Sequence, residues 1–129
     1  MSVPIVYIDT SEIRQGRIPE VKVAVNQLAE FVEAHEPQLI SYEFYFSENE
    51  TRMTLVAVHP DSASMEFHME VAGPAFRKFA DLVDLLRIDV YGPLTDKSLK
   101  QLQQKAQLLG NGTVTVHEKH AGFIRFRAR

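Results

Sequence analysis

The chain has 129 residues, enough to bury one core and too few for two ordinary domains, and its 45% hydrophobic and 24% charged residues are the balance of a folded single domain. A net charge of −3 lacks the basic footprint that nucleic-acid phosphates require, and no window approaches the roughly eighteen apolar residues of a membrane span, so neither partner is expected and the implied location is the cytoplasm. No cysteine is present, which excludes disulfides, thiolate nucleophiles and cysteine-ligated metal centres and leaves His, Asp, Glu and Tyr to carry any chemistry.

"PIVYIDTSEI" (4–13) is β-branched and apolar at its start, and reads as a strand with Ile5, Tyr7 and Asp9 on one face and Val6 and Ile8 on the other. Beyond Gly16, apolar residues recur at Ile18, Val21, Val25, Leu28 and Val32, one stripe of a helix with Pro19 in its first turn and a stop near His35, because Glu36 precedes Pro37. "QLISYEFYF" (38–46) and "RMTLVAVH" (52–59) form a hairpin across the polar turn "SENE". Asp61 or Ser62 caps the next helix, and Gly73-Pro74 divides it into segments 62–72 and 74–84, the second buried through Phe76, Phe79, Ala80 and Val83.

"LLRIDVYG" (85–92) alternates as a fourth strand. A third helix follows, capped by Thr95, stapled by Leu94 and Leu99, ended by Gly110, and buried through Leu99, Leu102, Ala106 and Leu109. "TVTVHEKHAGFIRF" (113–126) closes with a strand, or two about Gly122, and the tail Arg125, Arg127, Arg129 reads as a solvated terminus. The order β-α-β-β-α-β over 4–91 is the split βαβ arrangement of the ferredoxin-like α+β class, with helices on one face of an antiparallel sheet and an α-β extension over 94–126. Its middle strands are apolar on both faces, so something must cover the second face.

The runs "GRIPEVKVAVNQL" and "HPDSASMEFHMEVAGPAFRKF" resemble the antibiotic-biosynthesis-monooxygenase-like family of the dimeric α+β barrel superfamily. In that family a histidine often sits on the second helix a few residues before a small-Pro-x-Phe step, matched by His68, Gly73, Pro74 and Phe76. The resemblance spans roughly residues 4–91 and implies a homodimer whose two sheets face each other as a barrel, covering the second apolar face. The extension departs from the minimal family pattern, and would extend the dimer interface or close one end of the barrel. Members include cofactor-independent oxygenases of aromatic substrates and haem-degrading enzymes. The haem-degrading branch carries an Asn on its first strand and a pocket Trp; here Tyr7 and Asp9 hold the first-strand positions and the chain has no Trp, so haem degradation is not expected, nor any other cofactor.

Among candidate groups, Glu66 and Glu70 share a helical face, whereas His68 lies on the apolar face with Met65 and Ala72, so the three do not converge on a metal ion. His117 and His120 fall on opposite faces of a strand, and no metal is expected there either. Tyr7, Asp9, Glu43 and Tyr45 recur at two-residue spacing; facing a barrel lumen together, they would set a proton acceptor beside a phenol. His59 ends a strand where it could line a pocket mouth. RNA-binding modules share this element order, but "RMTLVAVH" offers no aromatic for stacking. The expected catalytic residues are therefore His68, Tyr7 and Asp9, with Tyr45, Glu43, His59 and Phe76 binding a small hydrophobic or aromatic ligand. The expected function is cofactor-independent monooxygenation of an aromatic or enolic molecule; the alternative is a non-enzymatic small-molecule binder or structural dimer.

Overall fold

A computed structural model describes residues 3–125. Its elements run β1 (Ile5–Ile13), α1 (Ile18–His35), β2 (Ser41–Phe46), β3 (Arg52–His59), α2 (Ser62–Ala72), a 3-10 segment (Gly73–Phe79), β4 (Val83–Tyr91), α3 (Asp96–Leu109) and β5 (Thr113–His117). The strands form one sheet in the order β2-β3-β1-β4-β5, antiparallel except for the β4–β5 pair. This is the expected α+β, ferredoxin-like core with an added α-β unit, its helices packed on one face.

Local chemistry sets the boundaries. The Asp61 carboxylate accepts from the Ser64 N–H at 2.8 Å and the Thr95 hydroxyl oxygen from the Ser98 N–H at 3.0 Å, each satisfying a donor that the first helical turn leaves free. Gly110 ends α3 at φ 141°, and a Cβ on Gly112 would lie 2.7 Å from the Leu85 carbonyl oxygen. The turn after α3 therefore rests directly on the β4 backbone and holds the helix against the sheet.

Several boundaries differ from expectation. The helix anticipated over 74–84 is a 3-10 segment that ends at Phe79, and Val83 opens β4, paired with Ile13, rather than closing a helical stripe. The three-residue repeat of a 3-10 turn places Phe76 and Phe79 one above the other, both buried, without a further helical turn. Strand β2 begins at Ser41, and β5 ends at His117 with no strand over 118–125. Residue 126 and the arginines at 127 and 129 lie outside the described residues.

The alternation on β1 is as read: Ile5, Tyr7, Asp9 and Ser11 turn to the helices, Val6 and Ile8 to the opposite face. That opposite face carries half-buried Val6, Ile8, Val56 and Val58 and exposed Tyr45, Leu86 and Tyr91, and no element of the described chain covers it.

Candidate functional site

The site lies between the sheet and the helices, and the strand register sets its floor. His59 stands opposite Ile5; in the next row Tyr42, Ala57, Tyr7 and Val90 lie side by side, followed by Phe44, Leu55, Asp9 and Ile88. Ala57 is the small member of its row, leaving Tyr42 and Tyr7 on either side of a methyl group. Over this floor α2 brings His68, the 3-10 segment brings Phe76, and α3 brings Lys105.

The Lys105 ammonium donates to the Asp9 carboxylate and to the Tyr7 hydroxyl oxygen, both at 2.8 Å, while the Tyr7 hydroxyl donates to the same Asp9 oxygen at 2.6 Å. All three residues are at least nine-tenths buried. Charges removed from water this far are tolerated only in a closed arrangement of opposite charge and hydrogen bonds, and this trio supplies one. The ammonium also sits 4.4 Å from the Phe76 ring centroid, a cation–π contact. Burial pushes the Tyr7 phenol well above its ordinary pKa, and the Asp9 charge adds to that, so Tyr7 remains a neutral donor.

A second buried pair lies nearby. His68 Nδ1 is 2.8 Å from Glu36 Oε2 and 3.0 Å from Oε1. A carboxylate only accepts, so the Nδ1 position carries the proton and a neutral His68 keeps its lone pair on Nε2. The His68 ring is bounded by Tyr42, His59 and Phe76, with centroids 5.2, 5.5 and 5.9 Å away. His59 is fully buried, with Nδ1 2.9 Å from Ser64 Oγ; burial and then the neighbouring His68 push its pKa down to about 3, so it is neutral. Burial, then the charges of Asp9 and Glu36, hold the Tyr42 phenol well above its ordinary range. The Tyr42 hydroxyl and His59 Nε2 are buried polar atoms without a hydrogen-bond partner, which is uncommon in a folded core.

Beside the charged trio is a cavity of about 20 Å³, lined by Asp9, Ser11, Tyr42, Phe76 and Lys105 among apolar neighbours; Glu36 and His68 do not line it, and His68 reaches it only through its ring neighbours Tyr42 and Phe76. That is room for about one water molecule. Alongside, the C-terminal half of α1 and the start of β2 enclose a surface cleft of about 450 Å³, and Tyr42 lines both spaces.

The structure thus gathers His68, Tyr7, Asp9, His59 and Phe76 on one side of the sheet. It separates Glu43 and Tyr45 from them: those side chains are exposed on the opposite face, bonded to each other at 3.2 Å. The period-two spacing holds along each strand, but the register pairs Tyr42, not Tyr45, with the row of Tyr7. Glu66 and Glu70 are not simply solvated: Glu66 accepts from the Thr95 hydroxyl at 2.5 Å and Glu70 from Lys97 at 2.6 Å, fastening α3 to α2. His117 pairs with Asp89 at 3.0 Å on the outer face, and His120 is exposed beyond β5. Among the described residues, no three His, Asp or Glu side chains converge as a metal cage. Sequence reasoning missed Lys105, Glu36, Tyr42 and Ser11. The one available signal was for Lys105, which stands three residues after Leu102 and four before Leu109, on the buried stripe.

No family model matches the chain, and no curated protein matches it in sequence. Solved structures do match. MupZ from Pseudomonas fluorescens is similar over 95% of this chain and 94% of its own, with a TM-score of 0.74 at 19% identity. SnoaB, a cofactor-independent oxygenase from Streptomyces nogalater, covers 70% of this chain with 92% of its own, with a TM-score of 0.60 at 13% identity. A provisionally assigned antibiotic biosynthesis monooxygenase from Bacteroides thetaiotaomicron covers 67% with 84% of its own, with a TM-score of 0.55 at 18% identity. At these identities the likeness is one of fold: the chain has the α+β fold of these proteins. The likeness to MupZ must run through α3 and β5, whereas the other two leave uncovered a length comparable to that extension.

The folded pKa of His59, about 3, lies below the ordinary value of 6.5. The stability contributed by its neutral form is therefore complete above pH 6.5 and lost as the pH falls from there towards 3. Denaturant titrations should show His59 alone costing about 2 kcal/mol between pH 7.5 and pH 5, with a correspondingly shallower pH dependence in His59→Gln. Equal slopes for the two proteins would contradict a buried neutral His59.

Proposed function

We propose that the chain is an acid–base enzyme for a small, mainly apolar molecule with an acidic C–H or O–H, and that its reaction is cofactor-independent oxygenation of an aromatic or enolic substrate. The observation that carries this reading is the buried Glu36–His68 pair beside the unpartnered Tyr42 hydroxyl. Glu36 fixes the proton on Nδ1, so His68 Nε2 is the base that removes the substrate proton. The Tyr42 hydroxyl is the donor to the enolate or phenolate oxygen so formed, and Lys105, held by Asp9 and Tyr7, places a fixed positive charge on the same cavity wall.

The resulting carbanion is itself the reductant. It passes electrons to dioxygen and forms a carbon–oxygen bond, giving a hydroperoxide once the distal oxygen is protonated. Loss of the remaining C–H proton with cleavage of the O–O bond then yields a carbonyl and water, so that one methylene group and one dioxygen become one carbonyl group and one water. The fold shared with SnoaB, named a cofactor-independent oxygenase, supports the reading. A binder without turnover is the second reading, favoured by the small inner cavity.

A panel of enolisable carbon acids, such as an anthrone, a 2-tetralone and a β-diketone, separates the two. An oxygenase should consume one dioxygen per carbonyl formed in the presence of a metal chelator and stop without oxygen, and His68→Gln should slow it by about 10²-fold or more. A binder would neither consume oxygen nor exchange the acidic C–H with deuterated water.

The same reading makes the protein a homodimer whose uncovered sheet faces meet, because Tyr45, Leu86 and Tyr91 join Val6, Ile8, Val56 and Val58 in one apolar surface. Light scattering after size exclusion at low micromolar concentration should report twice the 14.7 kDa chain mass. A well-folded monomer would contradict the barrel arrangement.

A further inference from the structure

The inner cavity holds about 20 Å³, so any ligand larger than water reaches the polar groups only if a wall side chain moves. Tyr42 is placed to be that side chain. It lines the inner cavity together with Asp9 and Lys105, and it lines the outer cleft together with Glu36 and Ile40. Its hydroxyl has no partner, so turning the ring breaks no hydrogen bond; its ring neighbours are Phe44 at 5.4 Å and His68 at 5.2 Å. It stands on β2, an edge strand with a neighbour on one side only. By contrast Lys105 and Asp9 are locked to each other.

The cleft outside measures about 450 Å³, within the range of small-molecule sites. Its walls are apolar at Ala29, Val32, Pro37 and Leu39, and its charged lining is entirely acidic, Glu30 and Glu33 exposed near its mouth and Glu36 buried within. No basic side chain lines it. An anion entering here meets carboxylates on the α1 wall, whereas an uncharged ring meets apolar walls and, at the floor, a free phenol.

We infer that the α1–β2 cleft is the substrate entrance, that Tyr42 is the gate between it and the inner site, and that the cleft admits an uncharged aromatic-sized molecule while rejecting its carboxylate counterpart. This rests on the reading of the inner site as the reaction centre, but it concerns binding alone and stands apart from turnover.

The test uses 2-naphthol and 2-naphthoate as probes of one ring size and opposite charge character at pH 7. Titrated into the full chain and followed by amide NMR, 2-naphthol should perturb residues 29–42 and bind about tenfold more tightly than 2-naphthoate. Glu30→Gln with Glu33→Gln should remove most of that difference. Tyr42→Ala should speed association of 2-naphthol, whereas Tyr42→Phe, which retains the ring, should leave the association rate unchanged. Ala29→Trp, which fills the cleft from the α1 side, should abolish binding and keeps the test decisive should Tyr42→Ala not fold. Perturbations confined to the outer sheet face, no binding of either probe, tighter binding of the carboxylate, or 2-naphthol binding unaffected by Ala29→Trp would overturn the inference. Binding through the cleft with no oxygen consumption would refute the oxygenase reading and leave the entrance intact.

Discussion

A charged lysine is costly to bury unless a fixed anion meets it, and the ion pair between Lys105 and Asp9 is the constraint on which the rest of this site depends. Asp9 lies on β1, the central strand of the sheet, and Lys105 on α3, ninety-six positions later in the chain. Each would be a severe liability alone, because an unpaired charge in a dry interior carries a desolvation cost of several kcal/mol. The pair therefore ties the extension to the core. The turn at Gly110 and Gly112, pressed on the β4 backbone, and the contacts of Glu66 and Glu70 with Thr95 and Lys97 hold α3 at the height where its ammonium reaches Tyr7 and Asp9. In this chain α3 forms a wall of the inner cavity through Lys105 and Leu109.

The remaining polar groups follow from how the sheet face is divided. Ala57 keeps the middle of its row low, so that Tyr7 and Tyr42 stand as two posts, Tyr7 belonging to the charged trio and Tyr42 packing against the His68 ring of the second pair. Phe76 touches both groups, ring to ring with His68 and beneath the Lys105 ammonium. Most of these groups satisfy one another. The Tyr42 hydroxyl and His59 Nε2 do not, and unsatisfied buried polar atoms are where a ligand gains most by binding. His59, stripped of basicity by its surroundings, is suited to orient rather than to take a proton.

Much of this is legible in the sequence, and some of it could not be. Helical periodicity places His68 with Met65 and Ala72, and all three are buried. Thr95, Asp61 and Gly110 mark their helix ends because cap chemistry is local. Glu36 reads only as the residue before Pro37, since nothing local reveals that a helix-terminal carboxylate will meet an imidazole thirty-two residues away. Lys105 escapes notice because a lysine on a helix stripe ordinarily snorkels to water. Period-two alternation gives two faces to a strand without saying which one the helices will cover, so Glu43 and Tyr45 group with Tyr7 and Asp9 until the pairing of Tyr42 with Ala57 sets them apart. Pro74 signals a change in the helix, and the change is a tightening into a 3-10 turn rather than a second helix.

The central claim is that the extension is bound into the site by a buried charge pair, and a double-mutant cycle on Asp9→Asn and Lys105→Met measures it directly. Each single substitution leaves a buried polar or charged partner stranded, and chemical denaturation at pH 7 should show a loss of about 3–5 kcal/mol for each. The double substitution removes both charges together and should cost well under the sum, with a coupling energy of about 2 kcal/mol or more. Losses that simply add, or a Lys105→Met protein as stable as the wild type, would mean that the two side chains do not share the core and that α3 is not part of the site.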